Sequence, residues 1–347
     1  MPTLLPFPHY YHPPGGTTDR LPVTRQGVRQ LSTLPLVAQL GPALPEIHVT
    51  SSQDDRPVRG ICGLLSADCF TDGSVRPHEH TLTPRLLRQE ELVLADGAAL
   101  GKPVLLTVPS LAPLWSRLPP PTTPAEVTYR GGQLSYALFS GRKPPAPIPL
   151  DELGPLVIAD GHHRAYTHAA LAARGLEPFA RIPVVIVGAD ELSIGAFLRV
   201  VETALPAPEL LDRLRDYFTI TPLVDPAPPA RRGEWLMSYR DRHYRLHRSG
   251  EGDTTTDPAW LIETVLPAVF GITDVRSDPR IRSVEPPPPQ ERQTAPVPEP
   301  TGDHIVMLGY PVSRQQFFDE VSSGRVFPPK STRFTPRIPS GLLVWIP

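Results

Sequence analysis

Apolar positions in this chain fall into short unbroken runs, set between polar turns and proline-rich stretches. Leu156-Val157-Ile158-Ala159 is such a run and predicts a buried strand. Pro103–Val108 and Ile182–Val187 predict two more, and Val58–Cys69 a longer one followed by the acidic turn Thr71-Asp72-Gly73. Gln133–Phe139 alternates loosely and predicts a further strand. Helical spacing enters with Leu87, Glu91, Leu94 and Ala98, which predict a helix over Leu86–Leu100. The alanine-rich residues Ala165 to Arg174 predict a second helix, stopped by Gly175. Strand, helix and strand over residues 156–187 predict a βαβ unit, right-handed with parallel strands.

Beyond residue 190 the pattern changes. Leu210–Phe218 and Pro258–Phe270 predict helices, and Trp235–Arg240 with His243–His247 predicts a hairpin. Ile305–Tyr310 resumes the apolar pattern, followed by a helix near Ser313–Ser323. Proline, at 48 of 347 residues, punctuates all of this in runs at Pro119–Pro121, Pro144–Pro149, Pro226–Pro229 and Pro286–Pro289. Such runs cannot continue helices or central strands, so they read as connections. The expected class is α/β with a mixed α+β sheet. Expected divisions are a loop-rich segment 1–57, a core at 58–205, an α+β extension at 206–282, a Pro-rich linker at 283–303, and a segment 304–347 that returns to the core.

A chain of this length can bury a large core, in one domain or two. The net charge of −2 gives no argument for a nucleic-acid-binding surface. No apolar stretch is long enough to span a membrane, and MPTLLPFPHYYHPPGG makes a poor secretory signal. Cys62 and Cys69 lie in one apolar stretch and read as buried free thiols rather than zinc ligands, which favours a reducing cytoplasm.

Three groups of residues carry candidate chemistry. The first is Asp160-Gly161-His162-His163-Arg164, at the expected strand-to-helix turn. There the first N–H groups of a helix point outward, the helix dipole adds positive charge, and an arginine and two histidines stand in the same turn. This suits phosphate. Asp160 suits a divalent cation or the orientation of a histidine; the plainer reading is a helix N-cap. The second group is His78-Glu79-His80-Thr81. If extended, it turns the two histidines one way and Glu79 the other, so that Glu79 can serve as a general base or the histidines can bind a metal. Alone it reads as a solvated loop. The third is Phe327-Pro328-Pro329-Lys330-Ser331-Thr332, in which Lys330 and two hydroxyls suit an oxyanion. A rigid tail docked on the core is as good a reading, and no Gly-rich loop precedes it. The chain has no HExxH, which ranks a metal-dependent hydrolase built on His78, His80, His162 and His163 below phosphate binding.

Residues 63–81 (GLLSADCFTDGSVRPHEHT), 156–171 (LVIADGHHRAYTHAAL) and 327–344 (FPPKSTRFTPRIPSGLLV) occur in this order. With LLDRLRDYF, WLIETVLPAVFGITDVRSDPRI and LGYPVS, they resemble the bacterial domain-of-unknown-function family 1015 from about residue 58 onward. The DGHHR turn with an upstream His-Glu is also similar to the free-serine kinases of the ParB/sulfiredoxin-like fold. That resemblance implies a ParB/sulfiredoxin-like core and ADP- or ATP-dependent phosphorylation of a small hydroxyl compound such as L-serine. It implies Glu79 as base, with Asp160, Gly161, His162, His163 and Arg164 at the phosphates, bridged by Mg²⁺. His78, His80, Thr81, Lys330, Ser331 and Thr332 are then expected to line the same cleft. A nucleotide-binding regulator without catalysis is the alternative.

Overall fold

The computed structural model describes residues 1–21, 35–52, 54–81, 83–95, 100–118, 121, 123–142, 147–250, 255–286 and 303–347. The chain forms two units, Met1–Ser193 with Phe334–Pro347, and Ile194–Arg333. This division differs from the sequence reading. It falls at 193/194 rather than after 205, and of the segment 304–347 only Phe334–Pro347 joins the first unit. Residues 287–302 of the expected linker lie outside the described residues.

The first unit is built on a ten-stranded mixed sheet. Its strands are β1 (Phe7–His12), β2 (Gly16–Thr18), β3 (Val37–Ser51), β4 (Asp54–Ser66), β5 (Val75–Arg76), β6 (Val104–Val108), β7 (Val127–Gly131), β8 (Leu134–Arg142), β9 (Leu156–Asp160) and β10 (Arg181–Gly188). They lie in the order β2-β7-β8-β3-β4-β10-β6-β9-β5, with β1 beside β3. Residues 1–57 are therefore not a loop segment. The apolar residues of β1 and β3 fall too irregularly to read as strands, and β3 is held by β1, by its neighbour β4 and by the more distant β8. Tyr11 also bridges to Val344.

All five residues of β6 are buried, as a central strand requires, and its one polar side chain, Thr107, donates to the Val187 carbonyl at 3.0 Å. The expected parallel βαβ unit does not form. β10 runs parallel to β6, but β9 runs antiparallel to it, so β9 and β10 point in opposite directions on either side of β6. Helix α2 (His162–Ala173) follows β9, beginning three residues before the expected start. The turn at Gly175 and a 3-10 turn over Glu177–Phe179 then lead into β10 at the end of the sheet where β9 finished. Helix α1 (Thr83–Ala95) packs against α2 through Val93, Leu171 and Phe179. It ends short of Leu100, whose backbone instead bridges to Trp345. β4 ends at Ser66, and Cys69 sits in a 3-10 turn (Ala67–Phe70). Both cysteines are free and buried.

The second unit has a six-stranded antiparallel sheet of β11 (Leu198–Glu202), β12 (Phe218–Leu223), β13 (Glu234–Tyr239), β14 (Arg242–Arg248), β15 (Ile281–Val284) and β16 (His304–Gly309), ordered β12-β14-β13-β16-β11-β15. The expected hairpin is β13–β14. Helix α3 (Ala207–Arg215) stops before Phe218, which opens β12. The expected helix near 258–270 contains a π-helical turn (Leu261–Val265) between α4 (Asp257–Trp260) and α5 (Leu266–Phe270). Helix α6 (Arg314–Ser322) starts at a capping box of Ser313 and Gln316. Phe218, Trp235 and Trp260 meet at ring distances of 5.1–5.5 Å at the core. The whole is a mixed α+β protein with few helices. Among the described residues no helix is long and apolar enough to cross a membrane.

Candidate anion-binding site

The DGHHR turn sits where β9 leaves the sheet. Ile158 pairs with Leu106 and Asp160 with Leu105, so β9 carries a β-bulge at Ala159. An unbulged strand would place Asp160 on the same face as Ile158, which is fully buried. The bulge re-aims it. Gly161 follows with φ +106°, a conformation that side chains resist, and acts as the N-cap of α2. No side chain caps this end, so the N-cap expected of Asp160 is not made. The N–H groups of the first turn, at His162, His163 and Arg164, have no acceptor within the helix.

Asp160 is used differently. Its Oδ2 atom lies 2.9 Å from Lys102 Nζ and 3.4 Å from Arg164 Nη2. Burial pushes the carboxyl upward, but the charges of Arg164, Lys102 and Arg337 outweigh this and hold it well below the usual carboxylate range. Burial also lowers Lys102, partly offset by Asp160. Two cations, Lys102 and Arg164, thus contact one carboxylate, and the charge of Arg337 also favours its ionised form. Arg164 also donates to the Pro103 carbonyl at 3.3 Å. Its guanidinium lies over Gly161, where a Cβ would come within 2.6 Å of Nη2. Glycine here serves the backbone twist and the seat of the arginine at once.

The His78 segment joins the turn from the neighbouring strand. β5 pairs parallel with β9 and ends at Arg76, before Pro77, which has no N–H to continue the ladder. His78 Nδ1 donates to the Ile158 carbonyl at 2.5 Å instead. A carbonyl only accepts, so the Nδ1 atom carries a proton. The His78 backbone N–H donates to His162 Nε2 at 3.4 Å, which assigns the proton of a neutral His162 to Nδ1. The two rings meet edge to face at 4.6 Å, and Phe334 packs on His78 at 5.5 Å.

His78 and His80 do not share a face. His78 is 2% exposed, whereas His80 is exposed. The segment is not a regular extended strand at this point, because the His78 ring is pulled inward by the Ile158 carbonyl. Glu79 and Thr81 are half-buried beside it, as are Gly161, His162, His163 and Arg164 in the turn. The first unit therefore brings His78 to His162 and leaves His80 at the surface.

Lys330, Ser331 and Thr332 belong to the second unit. There Ser331 Oγ donates to the Pro328 carbonyl at 2.7 Å, and Lys330 Nζ stands 5.3 Å from the Phe197 ring centre. Sequence reasoning missed Lys102 and Arg337. Lys102 carried a usable signal, a charge wedged between Gly101 and Pro103 at the mouth of a buried strand.

The described residues supply no cage for an Mg²⁺ ion held by the protein alone, whereas Mg²⁺ carried on nucleotide phosphates needs only one or two carboxylates. Among the described residues no group of three or more His, Cys, Asp and Glu could hold a metal. The Asp160 carboxylate, moreover, is already engaged by two cations. The turn suits an anion: it joins the N-terminal end of a helix, with its dipole, to Arg164 and to neutral imidazole that can donate.

The family profile described as "Protein of unknown function (DUF1015)" matches residues 36–269. None of the curated proteins matches the chain. Among solved structures, SbnI with a C-terminal truncation from Staphylococcus aureus is 15% identical, over 80% of this chain and 85% of that one, with a TM-score of 0.46. A free serine kinase in complex with AMP is 16% identical over 80% and 89%, with a TM-score of 0.41. A conserved hypothetical protein from Pyrococcus furiosus is 16% identical over 80% and 93%, with a TM-score of 0.40.

Proposed function

We propose that this chain, which belongs to the DUF1015 family by a match over more than half of its length, is a nucleotide-dependent kinase of a small hydroxyl compound, free L-serine being the first candidate acceptor. The observation that carries the reading is the uncapped start of α2, with Arg164 laid across Gly161 and held by Asp160. A phosphate chain is what such a turn accommodates. The N–H groups of residues 162–164 and the Arg164 guanidinium meet the phosphates of ADP or ATP. Asp160 acts through Lys102 and Arg164 as a positioning residue.

Glu79 is the proposed general base. The residue before it is tied to the Ile158 carbonyl and to His162, which fixes the backbone of Glu79 beside the turn. The acceptor oxygen forms a bond to the terminal phosphorus, and the bond from that phosphorus to the nucleotide's bridging oxygen breaks. The hydroxyl proton passes to Glu79, and AMP or ADP leaves. A positioned base typically contributes ~10²–10⁴-fold, and the rest comes from positioning and charge neutralisation. The unpaired, buried Cys62 and Cys69 fit a reducing, cytoplasmic setting.

The test is ³¹P NMR of the protein with magnesium chloride, ADP or ATP, and a pool of hydroxy amino acids. The expected result is a new phosphomonoester signal that is lost in Glu79→Gln while nucleotide binding persists. Nucleotide bound without transfer would replace the kinase by a nucleotide-binding regulator. Loss of binding in Glu79→Gln would make Glu79 structural.

A further inference from the structure

The second unit holds a surface cleft that phosphoryl transfer does not use. Its volume is about 500 Å³, within the range of small-molecule sites. One wall is a face of α3, with Leu211, Asp212 and Arg215. The other is the β13–β14 hairpin, with Tyr239, Arg240, Arg242 and Tyr244.

Strand register equips the hairpin wall. Arg242 and Tyr244 are two residues apart on β14 and share its face, and Tyr239 lies directly across from Arg242. The buried Tyr239 donates its hydroxyl to the Leu205 carbonyl at 2.8 Å. Tyr244 is 5% exposed, yet its hydroxyl has no hydrogen-bond partner among the described residues. A tyrosine this deep usually finds one. That hydroxyl is not sealed in the core, so a partner can reach it from the cleft that its side chain lines. Arg242 is exposed and forms no ion pair among the described residues. A guanidinium without a carboxylate and a hydroxyl without a partner thus stand on one face of one strand.

The rim adds charge. Arg240 takes the first central position of the two-residue hairpin turn at φ +44°, where glycine is favoured. Its guanidinium lies 5.1 Å from the Tyr239 ring centre. Strained backbone of this kind clusters at ligand sites. Arg240 reaches Asp303 at 3.2 Å, and Arg215 pairs with Asp212, but both pairs are exposed. Exposed pairs are weak and yield readily to a ligand. The cleft therefore sets three guanidinium groups against one carboxylate, beside the apolar surface of Leu211 and Tyr239.

We infer that this cleft binds a small organic anion, a phosphate or carboxylate carried on an apolar body. The anionic group accepts from the Arg242 guanidinium and the Tyr244 hydroxyl, and the body covers Leu211 and the Tyr239 ring. The guanidinium fork matches either oxyanion, and the hydroxyl beside it supplies a donor that no protein group uses. Every residue involved lies in the second unit, so failure of the kinase reading leaves this site untouched.

The experiment is saturation-transfer NMR of phenyl phosphate, and separately of benzoate, on the full chain at constant ionic strength set with sodium chloride. Saturable transfer is expected, weakened about tenfold or more in Arg242→Ala and in Tyr244→Phe. The Tyr244 hydroxyl has no protein partner to lose, so Tyr244→Phe should keep the parent melting temperature, which separates a ligand role from a structural one. Tighter phenyl phosphate binding assigns a phosphate, and tighter benzoate binding a carboxylate. Absence of saturable transfer for both probes, or transfer that the folded Arg242→Ala and Tyr244→Phe proteins retain in full, overturns the inference. Transfer lost in Arg164→Ala but kept in Arg242→Ala does so too, since the anion then sits at the turn of the first unit.

Discussion

Lys102 Nζ lies 2.9 Å from Asp160 Oδ2, and this contact joins the start of one buried strand to the end of another. It exists because β6 and β9 are antiparallel, which sets the segment just before β6 beside the residue that ends β9. Lys102→Met removes the nearer cation from a partly buried carboxylate. The expected loss is about 1–3 kcal/mol of stability by urea denaturation, with weaker nucleotide binding. An unchanged midpoint together with unchanged affinity would show that Arg164 alone suffices.

The depressed carboxyl of Asp160 makes stability depend on pH in a definite direction. Its folded pKa lies below its unfolded value of about 3.9, so the unfolded chain binds the proton first as pH falls. The contribution is complete above about pH 5 and drains as pH drops through 3.9 toward the folded value. Urea denaturation between pH 6 and pH 3 should therefore show a shallower acid loss for Asp160→Asn than for the parent. Equal slopes would mean that the ion pairs do not lower this carboxyl.

Gly161→Ala meets two obstacles, a φ of +106° and a Cβ position 2.6 Å from Arg164 Nη2. We expect a cost of about 1–3 kcal/mol. We also expect anion affinity to fall, because Arg164 must move. Calorimetry with ADP and a thermal melt read the two effects separately. Retained affinity would remove Arg164 from the phosphate site.

His78→Phe keeps a ring against His162 and Phe334 but strands the Ile158 carbonyl. A buried acceptor left unpaired costs about 1–3 kcal/mol, whereas His80→Ala at the surface should cost less than about 0.5 kcal/mol. Similar melting temperatures for the two variants would contradict the inward role of His78.

Much of the local structure was legible in the sequence. The β6, β9 and β10 strands are mostly apolar runs, and α2 follows from its alanines and the Gly175 stop, because burial and propensity act over a few residues. The DGHHR segment was legible as a strand-to-helix turn for the same reason: its residue types and its place between a strand and a helix are both local. Other features were not. β1 and β3 were read as loop because their apolar residues lack a clean alternation, although β3 pairs with β1 and with the adjacent β4. The direction of β9 against β10, the bulge that re-aims Asp160, and the use of Asp160 as an anchor for Lys102 and Arg164 rather than as a helix cap also escaped the sequence.

The chain by itself thus determined which segments are buried strands, where α2 begins and ends to within a turn, and which turn has the chemistry for an anion. Only the tertiary structure decided which charges stand around that turn. Lys102 and Arg337 come from segments far from residue 160, and strand order and direction select them. Periodicity reports which face of an element is covered. It carries no information about which neighbour covers it, since apolar burial is non-directional and pairing is settled only when the whole sheet assembles.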